Sequence, residues 1–300
     1  MNENTKNLLE EVGRQLDQNT FPVVKNGGFV LPRKSTASLN RLGKELNHES
    51  ERQGRPPAEP WAGAVGQQGS SGGPRHTGGS RQAGETSSFV DANEGSVYRT
   101  SLSSVCEAYP GTRVWEQEDG FWLLSESHLL PGLGRKVALL ICVSTVKRAV
   151  RSWAFWYSEL AGASWIGPRH TNFPDGSICA YEPLDGTWVF GDSLVELLDL
   201  YSVWALRHLH FEVFGHWPGP QAVAQPYERI LELGDDEQCG CGRSGKRYTD
   251  CCKEPDLKRY RIAEAINFGF FTAWALRFPP KALLEFMKLR GQPPLVAELI

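Results

Sequence analysis

The sequence predicts an α+β fold, with an antiparallel meander of four strands, flanking helices and a compact four-cysteine element. Three observations indicate this architecture. Runs rich in Val, Ile, Phe, Tyr and Trp follow one another at short intervals between residues 113 and 157. An apolar stripe with helical spacing comes after them. Four of the seven cysteines then lie within 14 residues of one another. The 300-residue chain is 40% apolar, which is enough to bury a sizeable core.

The strand predictions rest on four runs separated by short turns or loops. The dipeptide Asp119-Gly120 is typical of a tight turn, and consecutive strands with short connections form an antiparallel meander. A helix is predicted just before them, over Val97–Ala108. The four predicted strands are Arg113–Glu118, Gly120–Leu130, Lys136–Val143 and Ser152–Tyr157. The irregular stretch Leu160–Gly191 that follows is too long for an idle loop, so we expect function there.

Helices are predicted on the C-terminal side of this stretch. Ser193 and Glu196 have the spacing of a capping box, and the helix that they open should run to about His210. Its two histidines, His208 and His210, are assigned to a solvated helix end rather than to a metal site. Further helices are predicted from Asp256 to about Trp274 and over Lys281–Leu289.

The chain divides into segments of different composition. Residues 51–90 are rich in Gly, Pro and Ser and have almost no periodic apolar positions, which is typical of a flexible linker. Before them, Leu9, Val12 and Leu16 follow helical spacing. The predicted segments are an N-terminal arm (1–43), a flexible linker (44–96), an α+β domain (97–220), a cysteine knuckle (235–255) and a helical segment (256–300).

Charge and hydropathy argue against several classes of protein. The 32 basic and 35 acidic residues give a net charge of -3, so no global charge favours binding to nucleic acid or an anionic membrane. The longest apolar run, Val137–Val143, has seven residues, whereas a membrane helix needs about 20. The N-terminus has no apolar core of a secretory signal, and Glu10 and Glu11 do not suit a transit peptide. We therefore expect a cytoplasmic protein that is not bound to a membrane.

The segment from Arg169 to Cys179 carries the strongest signal for chemistry. It presents a thiol just after a Pro-Asp-Gly turn, with His170 and Asn172 within one short loop of the sulfur. Acyl transfer at sulfur needs a thiolate, donors for the developing oxyanion and a surface that holds the acyl carrier. Cys179 can supply the first and Asn172 the second.

These residues resemble the signature of the ubiquitin-conjugating enzymes, His-Pro-Asn followed by the thioester-forming cysteine. His170, Asn172 and Cys179 match it, residues 175–178 match the approach to the cysteine, and Trp188 matches a tryptophan that the family carries before the next helix. The resemblance covers residues 97–220. It implies a conjugating-enzyme fold, a thioester on Cys179, oxyanion stabilisation by Asn172, and a His170 that holds the loop and is not a base.

The resemblance is closest to divergent bacterial members of that family. Thr171 stands where the family has proline, and the spacing from His170 to Cys179 is one residue shorter than in the eukaryotic enzymes. Such members lie beside antiviral nucleotidyltransferases or in small ubiquitin-like operons, which implies a role in bacterial conjugation or antiphage defence. The sequence has no convincing nucleotide-binding loop. A separate activating enzyme and a ubiquitin-like or nucleotidyltransferase acyl donor are therefore the expected partners.

Two other functions stay open at this point. A non-enzymatic adaptor with a degenerate conjugating fold and a zinc-held interaction tail is favoured by Thr171, and burial of Cys179 would select it. A cysteine hydrolase would need His170 close enough to Cys179 to accept its proton.

The four clustered cysteines predict a structural zinc site. Cys239, Cys241, Cys251 and Cys252 form two close pairs across a basic, Gly-containing turn, and four thiolates can surround Zn2+ as a closed tetrahedron. The pattern resembles the SEC-C zinc motif, with Arg243 as one extra residue in the turn. The alternatives are two disulfides, which do not suit the cytoplasm, and four unliganded thiols, which would be prone to oxidation.

Overall fold

The computed structural model describes residues 3–17, 23–25, 28–30, 92–127, 136–158, 162–181, 186–243, 245–289 and 291–300. These residues belong to one of two units of the chain, Met1–Pro32 together with Ala92–Ile300. The predicted linker lies outside the described residues up to residue 91, and its last residues, from Ala92, begin a helix. Residues 31–43 of the predicted arm also lie outside the described residues, as do residues 128–130 of the second predicted strand.

Helices precede and follow the central strands along the chain. In chain order the described helices and strands are α1 (Glu3–Asp17), β1 (Val23–Lys25), β2 (Gly28–Val30), α2 (Ala92–Ala108), β3 (Arg113–Gln117), β4 (Gly120–Ser127), β5 (Lys136–Ser144), β6 (Ala149–Ser158), β7 (Gly162–Trp165), α3 (Leu194–Phe214), α4 (Pro226–Glu232), α5 (Lys253–Lys258), α6 (Arg261–Phe271), α7 (Lys281–Leu289) and α8 (Val296–Leu299).

The central sheet confirms the predicted α+β class. Strands β3 to β7 pair in chain order and are all antiparallel, and β1 and β2 form a separate hairpin. The meander has five strands, not the four predicted. The fifth strand, β7, has four residues and pairs with β6, where Phe155 lies opposite Trp165. So short a run has no recognisable alternation, and only its pairing with β6 makes it a strand.

Helices cover both faces of this sheet. On one face, alternate residues of the strands, including Leu123, Leu139 and Ile141, share one hydrophobic core with α1, α2 and α3. On the other face, Leu283, Phe286 and Met287 of α7 and Val296 of α8 pack against Trp122, Leu140, Trp153 and their neighbours. This explains why β5 is an almost continuous apolar run, since a strand buried on both faces has no solvent-facing side.

Two helix predictions need correction. The helix after the long loop extends to Phe214, four residues beyond the expected end, and Gly215 ends it with a φ of 76° that favours glycine. Ser193 is its N-cap residue, but its side chain makes no capping hydrogen bond. The single helix expected from Asp256 to Trp274 is instead two helices, α5 and α6, separated at Arg259 and Tyr260, both of which have extended backbones. No helix in the described ranges is both long and apolar enough to span a membrane.

Candidate active site and candidate metal centre

The cysteine loop, which we define as residues 166–181, directly follows β7, the last strand of the central sheet. Its two arms meet at an isolated bridge between Thr171 and Ile178. The turn between them is closed by two backbone bonds, from Asn172 N to the Ser177 carbonyl (2.7 Å) and from Gly176 N to the Asn172 carbonyl (2.9 Å). Ile178 N donates to the Ser152 carbonyl of β6 (2.7 Å), which attaches the loop to the sheet. The segment leading to Cys179 is therefore held by a regular set of hydrogen bonds.

The side chain of Asn172 lies along this turn. Its amide nitrogen, Nδ2, donates to the hydroxyl of Ser177 (3.2 Å) and to the carbonyl of Ile178 (3.0 Å). Both amide hydrogens are thus engaged, one of them with the residue that precedes Cys179. To donate to an acyl oxygen at Cys179, Nδ2 must give up one of these bonds.

Cys179 lies at the end of the turn and is partly exposed. Its backbone N donates to the carbonyl of His170 (3.1 Å), so the backbone of Cys179 is held against the other arm of the loop. The thiol also acts electrostatically on the phenol of Tyr201 on α3. Burial first, and then the neighbouring Tyr181 phenol, raise the pKa of Tyr201 well above its usual value, so Tyr201 remains a neutral group near Cys179.

The other two cysteines outside the cluster are in different surroundings. Cys142 is fully buried in β5, and burial raises the pKa of its thiol to about 12. Neither Cys142 nor Cys106 lies in a loop pattern like that of Cys179, so the sequence predicts both as core residues. The prediction is right for Cys142 and wrong for Cys106, which is exposed on α2.

His170 braces the loop. Its backbone has a φ of 49°, and its carbonyl accepts hydrogen bonds from Cys179 N and from the indole Nε1 of Trp204 (2.8 Å). Its ring packs on Trp217 at 4.1 Å between centroids and contacts Gln221 through Nε2 at 3.0 Å. Burial first, and then the Arg169 charge, hold the pKa of His170 well below its usual value. The ring is therefore neutral and engaged with Trp217 and Gln221.

The C-terminal segment packs on the tip of the cysteine loop. Phe173 contacts the ring of Phe268 at 5.6 Å, and the guanidinium of Arg277 lies over Phe173 at 4.1 Å. Phe278 N donates to the Pro174 carbonyl. Beneath the tip, the carbonyl of Asp175 accepts a hydrogen bond from the indole of Trp153 (2.8 Å), and its side chain pairs with Arg151. Nothing in the sequence of this loop indicated that residues about 100 positions later would cover it.

Four cysteines form the candidate metal centre. The sulfurs of Cys239, Cys241, Cys251 and Cys252 all lie within 4.8 Å of one another. Cys251 Sγ is 3.7 Å from Cys241 Sγ and 3.7 Å from Cys252 Sγ. A tetrahedron with metal–sulfur bonds of about 2.3 Å has edges of about 3.8 Å, so these contacts fit one metal ion bound by four thiolates. The sequence prediction of a four-cysteine metal site thus agrees with the geometry, which does not by itself select the metal.

The backbone around these sulfurs is tightly folded. Cys239 N donates to the Lys246 carbonyl (2.8 Å), and Gly240 lies so close to Val223 that an added Cβ would be 2.5 Å from the Val223 nitrogen. Burial acts to raise the pKa of Cys241, but the backbone N–H of Arg243 and the other thiols lower it to about 7. Burial raises the pKa of Cys239 to about 11, and burial and the neighbouring thiols raise that of Cys252 still further. A bound cation is therefore needed to hold all four sulfurs as thiolates.

A buried ion pair holds the helices that flank this centre. The Arg229 guanidinium on α4 donates to both carboxylate oxygens of Asp256 on α5, each at 2.8 Å. It also donates to the carbonyls of Val223 (3.0 Å) and Ala224 (2.7 Å). All three guanidinium nitrogens of Arg229 thus donate to protein oxygens, which helps the buried pair to be tolerated.

The histidines predicted at a solvated helix end are buried. His208 and His210 are each 3% exposed, because α3 continues past them and residues 215–217 fold back over the helix. His208 lies between the rings of Trp204 and Trp217, and burial lowers its pKa to about 3. His208 continues the apolar stripe of Tyr201 and Trp204 on α3, and this spacing was a signal for its burial, although it does not identify Trp217 as the residue that covers it.

Comparison of the chain with models of known protein families, with characterised proteins and with solved structures found no match.

Proposed function

We propose that this chain is a conjugating enzyme of the ubiquitin-like type, which accepts an acyl group on Cys179 as a thioester and transfers it to an amine. The observation that carries the proposal is the position of Cys179. It is a partly exposed thiol at the end of a loop whose backbone is fixed on both sides. The pattern of residues 170–179, which resembles that of conjugating enzymes, supports the same assignment.

The proposed chemistry needs no strong base in this chain. The Cys179 thiolate attacks the carbonyl of an activated thioester, a new C–S bond forms, the C–S bond to the donor breaks, and the donor leaves as a thiolate that takes up the proton lost by Cys179. The amine of the acceptor then attacks the Cys179 thioester, an amide bond forms, the C–S bond to Cys179 breaks, and the Cys179 sulfur leaves as a thiolate that takes up the proton lost by the amine. The pKa of His170 is held well below its usual value and its Nε2 contacts Gln221, so the ring is a poor proton acceptor, whereas a cysteine hydrolase would need it as an effective base.

In this proposal Asn172 stabilises the oxyanion by giving up a hydrogen bond within the loop and donating to the oxyanion instead. Its Nδ2 is bonded to the Ile178 carbonyl, one residue before the nucleophile, so a small rotation would move the same donor to the developing negative oxygen. His170 holds the loop, and the partners we propose are a separate activating enzyme and a ubiquitin-like or nucleotidyltransferase acyl donor. The setting we propose is a bacterial, cytoplasmic conjugation pathway of the antiviral kind.

A synthetic peptide with a C-terminal glycine thioester tests the nucleophile. After incubation and peptide mapping by mass spectrometry at acidic pH, we expect a hydroxylamine-sensitive acyl group on Cys179 at about ten times the level on exposed Cys106. Cys179→Ala should abolish this label, Cys179→Ser should form only a slow, hydroxylamine-resistant ester, and Cys106→Ala should leave it unchanged. Equal labelling of Cys106 and Cys179 would contradict the proposal.

For the metal centre we propose a structural zinc ion. Four thiolate ligands leave no open position for water, which is the arrangement of structural and not of catalytic zinc sites. Native mass spectrometry of protein purified without added metal should show one zinc per chain. The double variant Cys251→Ser/Cys252→Ser should lose it, and Cys142→Ser should retain it. Iron or no metal in the unmodified protein would refute this assignment.

One observation favours the second candidate, a non-enzymatic adaptor. Several large apolar side chains on and after α6 are exposed, including Phe270 (72%), Phe271 (66%) and Trp274 (64%). Exposed aromatic groups of this density are typical of a protein-binding surface. If Cys179→Ala retains full biological activity while Phe270→Ser with Phe271→Ser abolishes it, the adaptor is the correct function.

A further inference from the structure

A buried polar cluster joins the candidate metal centre to the cysteine loop. We call it the Arg169 cluster and define it as Arg169, Gln221 and Glu237. The Arg169 guanidinium makes a two-pronged ion pair with Glu237 and donates to Gln221 Oε1 at 2.8 Å. Gln221 Nε2 in turn donates to Glu237 at 3.3 Å and to the Gln238 carbonyl at 2.8 Å. The side chains of the ion pair are 5% and 0% exposed, so water cannot replace either partner.

The carboxylate of Glu237 accepts a further hydrogen bond from Trp217 N (2.8 Å), whereas its backbone belongs to the four-cysteine hairpin. Glu237 lies two residues before Cys239, and its carbonyl accepts a hydrogen bond from Tyr248 N at 2.8 Å. Gln238 bridges to Arg247 across the same hairpin. A structural metal supplies much of the free energy that orders so small an element, so the backbone of Glu237 should be ordered only while the centre is loaded.

Arg169 sets the position of the cysteine loop at the other end of the cluster. It is followed by His170, whose carbonyl accepts the bond from Cys179 N (3.1 Å) and whose ring nitrogen Nε2 contacts Gln221 Oε1 (3.0 Å). The Arg169 guanidinium also lies 4.8 Å from the ring of Phe211 on α3. If Glu237 moved away, a charged guanidinium would remain buried without its counter-ion, which is strongly unfavourable. Arg169 would have to move, and His170 would move with it.

We propose that Arg169 is a positioning residue for Cys179, and that the metal centre fixes it through Glu237, so that loading of the four cysteines controls the geometry of the cysteine loop. The use of this control in acyl transfer rests on the proposed function. The mechanical connection itself does not, because the order of the loop can be measured without any transfer.

The first test compares the metal-loaded full chain with the same protein stripped by a chelator under reducing conditions. Hydrogen exchange should become faster by about tenfold or more at the amides of Ile178 and Cys179 after stripping. The rate of Cys179 alkylation, read by peptide mapping, should rise with it. The amides of β5 should keep their protection. The proposal would be overturned if the four-cysteine hairpin exchanged freely while the exchange rates of the cysteine loop stayed unchanged. It would also be overturned if β5 lost as much protection as the loop, since the metal would then stabilise the whole fold.

The second test breaks the connection while the metal stays bound. Glu237→Gln keeps the shape of the side chain and removes its charge, so we expect faster exchange at Cys179 with an unchanged metal content. Asp235→Asn is the matched control, because Asp235 lies on the same hairpin in an exposed pair with Lys253 and should have no effect. Equal effects of the two variants would overturn the role of the Arg169 cluster.

A graded series of substitutions at Arg169 distinguishes a role in positioning Cys179 from a general role in stabilising the fold. Arg169→Lys keeps the charge but loses the two-pronged bond, and it should fall between wild type and Arg169→Gln in loop exchange. In acylation by the glycine thioester peptide, the single-turnover rate constant at saturating peptide should fall in the same order, with little change in the peptide concentration that gives half of that rate. If Cys179 accepts no acyl group at all, the proposed function fails while the exchange data still decide the connection. If Arg169→Gln exchanges like wild type, the positioning role fails while the acylation test of Cys179 stands.

Discussion

Replacing Asp256 with Ala should destabilise the protein by about 3–5 kcal/mol, because it removes the counter-ion of a buried guanidinium. The side chains of Arg229 and Asp256 are 6% and 2% exposed, so the charge left on Arg229 cannot be hydrated without opening α4 and α5. Two of the four hydrogen bonds made by Arg229 go to Asp256, and both are lost. Since these helices flank the four cysteines, the variant should also release its metal more readily.

Urea unfolding of the metal-loaded protein measures the loss of unfolding free energy, and competition with a chromophoric chelator measures the metal affinity. The matched control is Glu254→Ala, which breaks the exposed pair with Lys258 on the same helix and should change neither quantity appreciably. The double variant Arg229→Met/Asp256→Leu should recover much of the stability, because it leaves no buried charge behind. If Asp256→Ala were no more destabilising than Glu254→Ala, the interpretation of this pair as a buried ionic contact would be wrong.

Two further predictions concern the core and its pH dependence. Leu283→Ala should lower the free energy of unfolding by about 2–5 kcal/mol because Leu283 is fully buried against the sheet. Leu289→Ala, on the same helix but 80% exposed, should leave it nearly unchanged in the same urea titration. The folded protein protonates His208 only near pH 3, whereas the usual value is 6.5, so the unfolded chain binds this proton first as the pH falls. Stability should therefore fall by about 1.4 kcal/mol per pH unit from this group below pH 6.5, and His208→Gln should make the measured slope shallower by about one proton. An unchanged slope would mean that His208 is not buried and neutral.

Much of the sheet was predictable because its signals are local. The apolar run of β5 and the tight turn before Gly120 depend only on neighbouring residues, and both occur as expected. The four-cysteine site was predictable for the same reason, since all four ligands lie within 14 residues. Local signals of this kind are complete within a short window of sequence.

The features that escaped prediction depend on distant pairings. Strand β7 exists only through its bonds to β6, and Arg169 meets a partner 68 positions later. The burial of His208 depends on Trp217, which returns over α3 after Gly215. The amide of Asn172 is occupied by Ile178 because of how the turn folds. None of these contacts leaves a periodic pattern that identifies the partner.

The covering of the sheet on both faces limits how this protein can be divided. If residues 97–220 were excised, Trp122 and Trp153 would lose α7 on one side, and Leu123 and Ile141 would lose the contribution of α1 on the other. We therefore expect residues 97–220 to be unstable when they are expressed without α1, α7 and α8. A substitution in α7 that changes side-chain volume should likewise be tolerated only with a compensating change in the strands that α7 packs against.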